Sequence, residues 1–457
     1  YRSAAKHDPK HVKAHAGLAE LLKRKGELEE AIACFDKALA LDPANDFILS
    51  QKLFWQANMA DWRAFEEFGE VGSRLGLREK EIIPFNALGF EDNPRRHATR
   101  ARFYAHQKFG TIPPPLRAKP KASGERIRIG YFSADFRDHA TLYLMSGLLR
   151  EHDRARFEVY VYSYGPPVKS ELLDQTKQHI DHFVDAYLKP DDEIIAAVRK
   201  HGLDIALDVK GYTADSRSEL FAQWLAPIQV NYLAYPGTMG ADFINYVIAD
   251  PVVIPEDQQR TFSEKIIALP NCYQPNDDQR PIEDDGSTRS DHGLPEDAFV
   301  FCCFNQNYKI EPRLFDIWMR VMDKVENSVL WLIDWHRWGR ENLRKHASER
   351  GIDPERLVFA PTLPHAKHLG RLKHADLFVD TFNYTAHTTA SDALWAGVPV
   401  VTKAGKQFAA RVGASLVSAV GLPELITESE EDYEALMLAL ATDPARLSAI
   451  REKLAAN

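Results

Sequence analysis

The chain has 457 residues, of which 45% are hydrophobic and 27% charged, with a formal net charge of −9. That length allows about three domains with ample cores, and the acidic balance excludes a general affinity for nucleic acid or for an anionic membrane surface. No run approaches the roughly 20 apolar residues of a membrane span, and no signal-peptide pattern opens the chain, which starts at Tyr1 without a methionine. Cys34, Cys272, Cys302 and Cys303 show no C-x-x-C spacing, so they read as reduced core thiols of a cytoplasmic protein.

Residues 1–110 carry helical signals. Asp8-Pro9 recurs as Asp42-Pro43, a 34-residue period, and the intervening HVKAHAGLAELLKRKGELEEAIACFDKALALDP puts Leu18, Ala19, Ala31, Phe35, Ala38 and Pro43 at the offsets of a tetratricopeptide helix pair. FILSQKLFWQANMADWRAFEEF keeps the helical period but drops the repeat pattern, as a terminal or transitional unit does. About three repeats are needed to close a solenoid core, so this remnant is expected to lean on something else. Residues 111–124, opening TIPPPLRAKP, read as a stiff proline-rich linker.

Two α/β lobes are expected next. In residues 125–283 the runs RIRIGYFS, FEVYVYSYG, DIALDVKG, IQVNYLAYPG, YVIAD and KIIALP alternate with helical stretches, which predicts a parallel sheet wrapped by helices. The polar passage around 284–298 reads as an inter-lobe linker. FVFCCFN, SVLWLID, RLVFAP, LFVDTF and VPVVT then repeat the alternation through residues 299–457. Ligands of such doubly wound sheets sit beyond the carboxyl ends of the strands. Neither half has a G-x-G-x-x-G or Walker loop, so any phosphate must be held another way.

Five stretches follow strand ends with chemistry in them. SADFRDHATLYL brings His139, either a structural histidine or a proton acceptor. YLAYPGTMGADF contains a tight turn at Pro236-Gly237-Thr238 and Gly240, either plain or a place where backbone approaches a ligand. CCFNQNYKIEP carries Gln306 and Lys309, the lysine placed to neutralise a phosphate unless it is simply exposed. PTLPHAKHLGRLKHADLFVDTF sets His368 and Arg371 one helical turn apart on a shared face. DTFNYTAHTTASDALWAGVPVV places His387, Thr388 and Thr389 at a helix start, with Asp392 one turn on. That cluster reads as an N-cap, or as a diphosphate seat using the amide hydrogens of the helix start.

The order and spacing of these stretches resemble the O-linked N-acetylglucosamine transferases, glycosyltransferase family 41, in particular bacterial-type homologues without a long insert between the lobes. IGYFSADFRDH, KGYTADSRSELFAQWLAPIQVNYLAYPGTMGA, FCCFNQNYKIEP, NSVLWL, RLVFAPTLPHAKHLGRLKHADLFVD and AHTTASDALWAGVPVVT carry the resemblance across most of residues 126–430.

The resemblance implies a GT-B fold of two Rossmann-like lobes preceded by the tetratricopeptide segment, with UDP-N-acetylglucosamine held mainly by the second lobe. It implies diphosphate contacts from His387, Thr388 and Thr389, and Lys309 countering charge on departing UDP. Gln306 is then a polar contact to the nucleotide sugar, Asp392 a ribose partner, His368 and Arg371 uracil-side contacts, and His139 the proton acceptor. The expected reaction is inverting transfer to Ser or Thr hydroxyls of protein acceptors presented by the helices, with no metal and no other cofactor. No D-x-D sequence occurs, the acidic pair that metal-dependent sugar transferases commonly use. Related readings are a cytoplasmic N-glycosyltransferase using UDP-glucose, a nucleotide-sugar epimerase, and a non-catalytic scaffold that keeps a UDP pocket. Two departures stand out: Ala140 where many relatives have proline, and His365 where some have a lysine near the ribose.

Overall fold

Seven short runs between residues 127 and 268 build one parallel sheet: β1 (Ile127–Ser133), β2 (Phe157–Ser163), β3 (His182–Asp185), β4 (Ile205–Asp208), β5 (Ile228–Asn231), β6 (Tyr246–Ala249) and β7 (Lys265–Ala268). Their spatial order is β3-β2-β1-β4-β5-β6-β7. A second parallel sheet holds β8 (Phe299–Cys303), β9 (Ser328–Ile333), β10 (Leu357–Ala360), β11 (Leu377–Val379), β12 (Val400–Lys403) and β13 (Ile426–Thr427), in the order β10-β9-β8-β11-β12-β13. Near-continuous apolar sequence is what a parallel strand covered on both faces requires. In β9, SVLWLI, every residue is buried.

This computed structural model describes residues 1–78, 80–118 and 120–457. Glu79, in the expected helical segment, and Lys119, in the expected linker, lie outside the described residues. The chain forms two units, one comprising Tyr1–Arg96 with Ile282–Asn457, the other His97–Pro281. The first sheet and its helices make the second of these, and the helical segment belongs with the second sheet as far as Arg96, residues 97–110 going with the first sheet.

The repeat forms as read. Helices Val12–Arg24 and Leu28–Leu41 are joined at Gly26, whose φ of 79° is the left-handed conformation a tight reversal needs. Ala19, Leu22, Ala31, Phe35 and Ala38 close on one another with Ile48 of the next helix, Asp46–Asn58. Asn45 caps that helix by accepting from the Ile48 N–H at 3.2 Å.

Helix Pro94–Phe109 packs beside the first sheet: Tyr104 meets Tyr212 at 4.8 Å between ring centroids and Phe109 meets Phe243 at 4.9 Å. Residues 112–118 are without regular structure, and Trp224 Nε1 donates to Pro113 O at 2.9 Å. The passage after Pro281 lies along the second sheet's unit: Glu283 N donates to Ala366 O at 3.1 Å and Arg289 pairs with Asp376 at 2.8 Å. Cys302 and Cys303 are buried thiols in the middle of that unit.

Candidate active site

Each sheet has one place where strand order reverses. In the second sheet it falls between β8 and β11, since the chain leaves β8 toward β9 and β10 but leaves β11 toward β12 and β13. The crevice opened there is where doubly wound folds bind ligands. Asn305, just past β8 and only 2% exposed, bridges it: Nδ2 donates to Thr381 Oγ1 at 2.9 Å, and Oδ1 accepts from Thr389 Oγ1 at 2.5 Å.

Asp380 directly follows β11 and is fully buried. Its carboxylate accepts from the Thr381 and Ala386 amides at 2.7 and 2.6 Å and from Thr402 Oγ1 at 2.7 Å. Burial pushes its pKa up, against the pull of those bonds and of Lys309. Folding residues 381–386 back onto Asp380 delivers the chain to helix Thr388–Trp395 at the strand's carboxyl edge.

The side-chain cap expected at 387–389 is not formed. His387 is the N-cap residue, at φ −108° and ψ −93°, yet its own side chain makes no cap hydrogen bond. Its Nε2 is 3.3 Å from Ala409 O and its ring lies 4.7 Å from Tyr384, while the Thr389 hydroxyl is spent on Asn305. Asp392 is the fifth helical residue, beyond the first turn. A helix start with no side chain closing it keeps its positive end for an anion. Burial and the Lys309 charge drive the His387 pKa well down, so the imidazole is neutral.

Lys309 ends the short turn Asn307–Lys309 that follows β8. The residue is 8% exposed, and its ammonium donates to Thr385 O at 3.0 Å and sits 4.0 Å over the Tyr384 ring. Burial lowers its pKa, and Asp380 opposes that shift. Gln306 opens the same turn, half-buried, its carbonyl accepting from the Lys309 N–H at 3.0 Å.

Helix His365–Arg371 supplies the next group. Arg371, 2% exposed, donates to His368 Nδ1 from Nη2 at 2.9 Å and Nε at 3.2 Å, and to Pro361 O at 2.5 Å. Its guanidinium lies 5.2 Å from the Phe304 ring, which meets His368 edge-on at 5.2 Å. Burial, aided by Arg371, pushes the His368 pKa down to about 4. His365 Nε2 is 3.2 Å from Asp392 Oδ1, so the histidine that replaces a lysine in some relatives ties this helix to helix Thr388–Trp395.

The first sheet reverses between β1 and β4, and His139 sits beyond β1. It is the N-cap of helix Ala140–Arg150: Nδ1 accepts from the Thr141 N–H at 3.2 Å, which puts the ring proton on Nε2. Asp135 Oδ2 lies 3.7 Å from the same nitrogen and is itself held by a buried ion pair with Lys210. Accepting a proton at Nε2 requires the other tautomer, with Nδ1–H turned to Asp135. Burial lowers the His139 pKa while Asp135 pulls it up.

Gly240 corrects one expectation. At φ 61° it admits a close backbone approach, but the approaching chain is helix Pro94–Phe109: a Cβ there would lie 2.6 Å from the Ala101 carbonyl carbon. The space is filled by the protein rather than reserved for a ligand.

Lys309, His387, Thr388 and Thr389 thus share the second sheet's switch point with Gln306, and His365, His368, Arg371 and Asp392 cluster on two adjoining helices. Asn305, Asp380, Tyr384 and Thr385 belong to the same site and were not singled out from sequence. The signal was available in one respect, since Asn305 and Asp380 are each a polar residue terminating an apolar strand run.

Two doubly wound parallel sheets with polar loops at their switch points, preceded by a helical repeat, define an α/β protein of the GT-B type. The model of Glycosyl transferase family 41 matches residues 112–284 and 279–457, and a Tetratricopeptide repeat matches 12–45. The chain belongs to glycosyl transferase family 41. It is 34% identical over 393 residues to an Arabidopsis thaliana protein named as a probable UDP-N-acetylglucosamine peptide N-acetylglucosaminyltransferase, SEC, covering 82% of this chain and 40% of that protein. Against the UDP-N-acetylglucosamine peptide N-acetylglucosaminyltransferase of Caenorhabditis elegans the identity is 29%, covering 73% and 39%. The chain therefore spans about two fifths of these relatives' length. A mutant of the Thermobaculum terrenum O-GlcNAc transferase superposes with a TM-score of 0.81 at 26% identity, covering 99% of this chain and 87% of that one. Among the described residues, no helix is long and apolar enough to cross a membrane.

Proposed function

We propose that this chain transfers N-acetylglucosamine from UDP-N-acetylglucosamine to serine or threonine hydroxyls of protein acceptors, with inversion and without a metal ion. The donor and the peptide acceptor come from the printed names of its relatives. One observation carries the mechanism: a helix start without a side-chain cap and the buried Lys309 ammonium stand together at the second sheet's switch point. In this reading the amides and hydroxyls of His387, Thr388 and Thr389 seat the diphosphate. Lys309 meets the charge that grows on departing UDP, doing electrostatically what a divalent ion does elsewhere.

Gln306 contacts the nucleotide sugar, Asp392 the ribose, and His368 with Arg371 the uracil side. His368 suits that role because Arg371 occupies Nδ1, leaving Nε2–H as a fixed donor toward a carbonyl oxygen. His139 assists the acceptor hydroxyl in its Nδ1–H tautomer. The tetratricopeptide helices present the protein acceptor, and the reaction takes place in the cytoplasm. Domain limits follow the same scheme: helices 1–110, linker 111–124, lobes 125–283 and 299–457, joined by 284–298.

Incubation with labelled UDP-N-acetylglucosamine and a protein mixture, followed by mass-spectrometric mapping, tests this. Sugar on Ser or Thr, undiminished by EDTA, is the expected result. Labelling of asparagine from UDP-glucose, or UDP binding with no transfer, overturns it.

A further inference from the structure

The Lys309 turn is built from both ends of the chain. The second sheet's loops hold the ammonium through Thr385 O and the Tyr384 ring, and that ring also meets Tyr308 at 5.9 Å. Its neighbours are held by the helical segment. Trp62 Nε1 donates to Ile310 O at 3.0 Å, and Asn307 Nδ2 donates to Asn58 O at 3.1 Å, both bonds buried. The Tyr308 ring meets Phe54 at 5.0 Å, and Gly89 passes so close that a Cβ there would be 3.0 Å from Tyr308 O.

The same segment secures the loop that touches the lysine. Asn383 Nδ2 donates to Gly89 O at 3.2 Å, while Gln407 Nε2 reaches Leu88 O, Glu91 O and Asn383 O at 2.9, 3.0 and 2.6 Å. Trp62 is itself immobilised: its ring stacks on His346 at 3.8 Å with an interplanar angle of 9°, the Arg350 guanidinium is 5.1 Å from it, and only 6% of the residue is exposed.

We propose that Trp62 is a positioning residue for Lys309: its indole N–H on the Ile310 carbonyl, with Asn307 on Asn58, fixes the turn that aims the ammonium. This rests on the reading that Lys309 acts on the departing diphosphate. The turn has two internal bonds, Lys309 N–H to Gln306 O at 3.0 Å and Ile310 N–H to Asn307 O at 2.9 Å, which set its shape but not its place, so its placement is that of its anchors. Displacing a reacting group by about 1 Å can cost on the order of 100-fold in rate without much change in binding.

Trp62→Phe keeps a ring for the His346 stack and deletes the N–H; Asn307→Ala removes the second anchor. Each is expected to lower kcat about 10-fold, with UDP affinity within about 2-fold of wild type and a melting temperature lowered by no more than a few degrees. In a Lys309→Ala background neither should cost more than about 2-fold further, because the group they aim is gone. If Trp62→Phe does not fold, Asn307→Ala carries the test alone. Wild-type turnover in these variants while Lys309→Ala is inactive overturns the positioning role and leaves the catalytic reading standing. So do losses that multiply in the double variant, or a parallel fall in UDP affinity. Wild-type turnover in Lys309→Ala instead removes the catalytic reading itself.

Discussion

Arg371 donates to Nδ1 of His368 at 2.9 Å, so an arginine fixes both the charge and the tautomer of a histidine one turn away. An imidazole that accepts from a guanidinium cannot itself be protonated at that nitrogen. The pair is a rigid, neutral hydrogen-bond donor backed by an aromatic ring, Phe304.

An acid-stability signature follows from that arrangement. His368 takes up a proton only near pH 4 in the folded chain, whereas the unfolded chain does so near its ordinary value of 6.5. Between those values the unfolded state binds more protons, so this group's contribution to stability is intact above pH 6.5 and lost as pH falls. Asp380, whose pKa is raised, works in the opposite direction. Comparing wild type with His368→Gln isolates the histidine: from pH 7 to 4.5 the wild-type melting temperature should fall more than the variant's. Parallel curves count against it.

Lys309→Ala should lower turnover by about 100- to 1,000-fold, the usual cost of deleting one donor aimed at developing negative charge. UDP affinity, measured by calorimetry, should change only a few-fold, because the contact strengthens as the bond to the sugar breaks. An equal loss in both would make Lys309 a binding residue.

The same lysine should shape the alkaline side of the pH profile. Burial lowers its pKa below the 10.5 of a free lysine, so kcat/KM should begin to fall earlier than an exposed lysine would make it. Bound diphosphate favours the ammonium, so the limb in kcat should lie at higher pH than the limb in kcat/KM. Coincident limbs near 10.5 would contradict the burial argument.

His139 can be asked which of its two roles matters. Asparagine is a good helix N-cap but no base, so His139→Asn should keep the melting temperature within a few degrees and still lose most transfer activity, about 100-fold. UDP binding should be unaffected. Transfer near the wild-type level would leave His139 as the cap of helix Ala140–Arg150 and nothing more.

How far the sequence reached can be judged from particular residues. The helix pair around Gly26 and both parallel sheets were legible because apolar periodicity reports burial directly. His387, Thr388 and Thr389 were legible as a helix start, but of the two readings offered the side-chain cap does not form: the hydroxyl of Thr389 is claimed by Asn305, 84 positions away, and no local rule anticipates that. Gly240 was seen as a place of close approach, but only packing says what approaches. Lys309 was visible as a cation after a strand, while its burial under Tyr384 and its debt to Trp62 depend on residues far off in sequence.

The 248 positions between Trp62 and Ile310 also set a timetable for biosynthesis. At roughly 5–20 residues per second a ribosome needs about 12–50 s to make that stretch. For that interval the faces of Phe54, Trp62 and Phe85 that later meet Tyr308, Phe315 and Tyr384 stay uncovered, while residues 97–281 emerge and can close on themselves. The docking of the helical segment onto the turn after β8 is therefore a late, long-range event in the life of the chain.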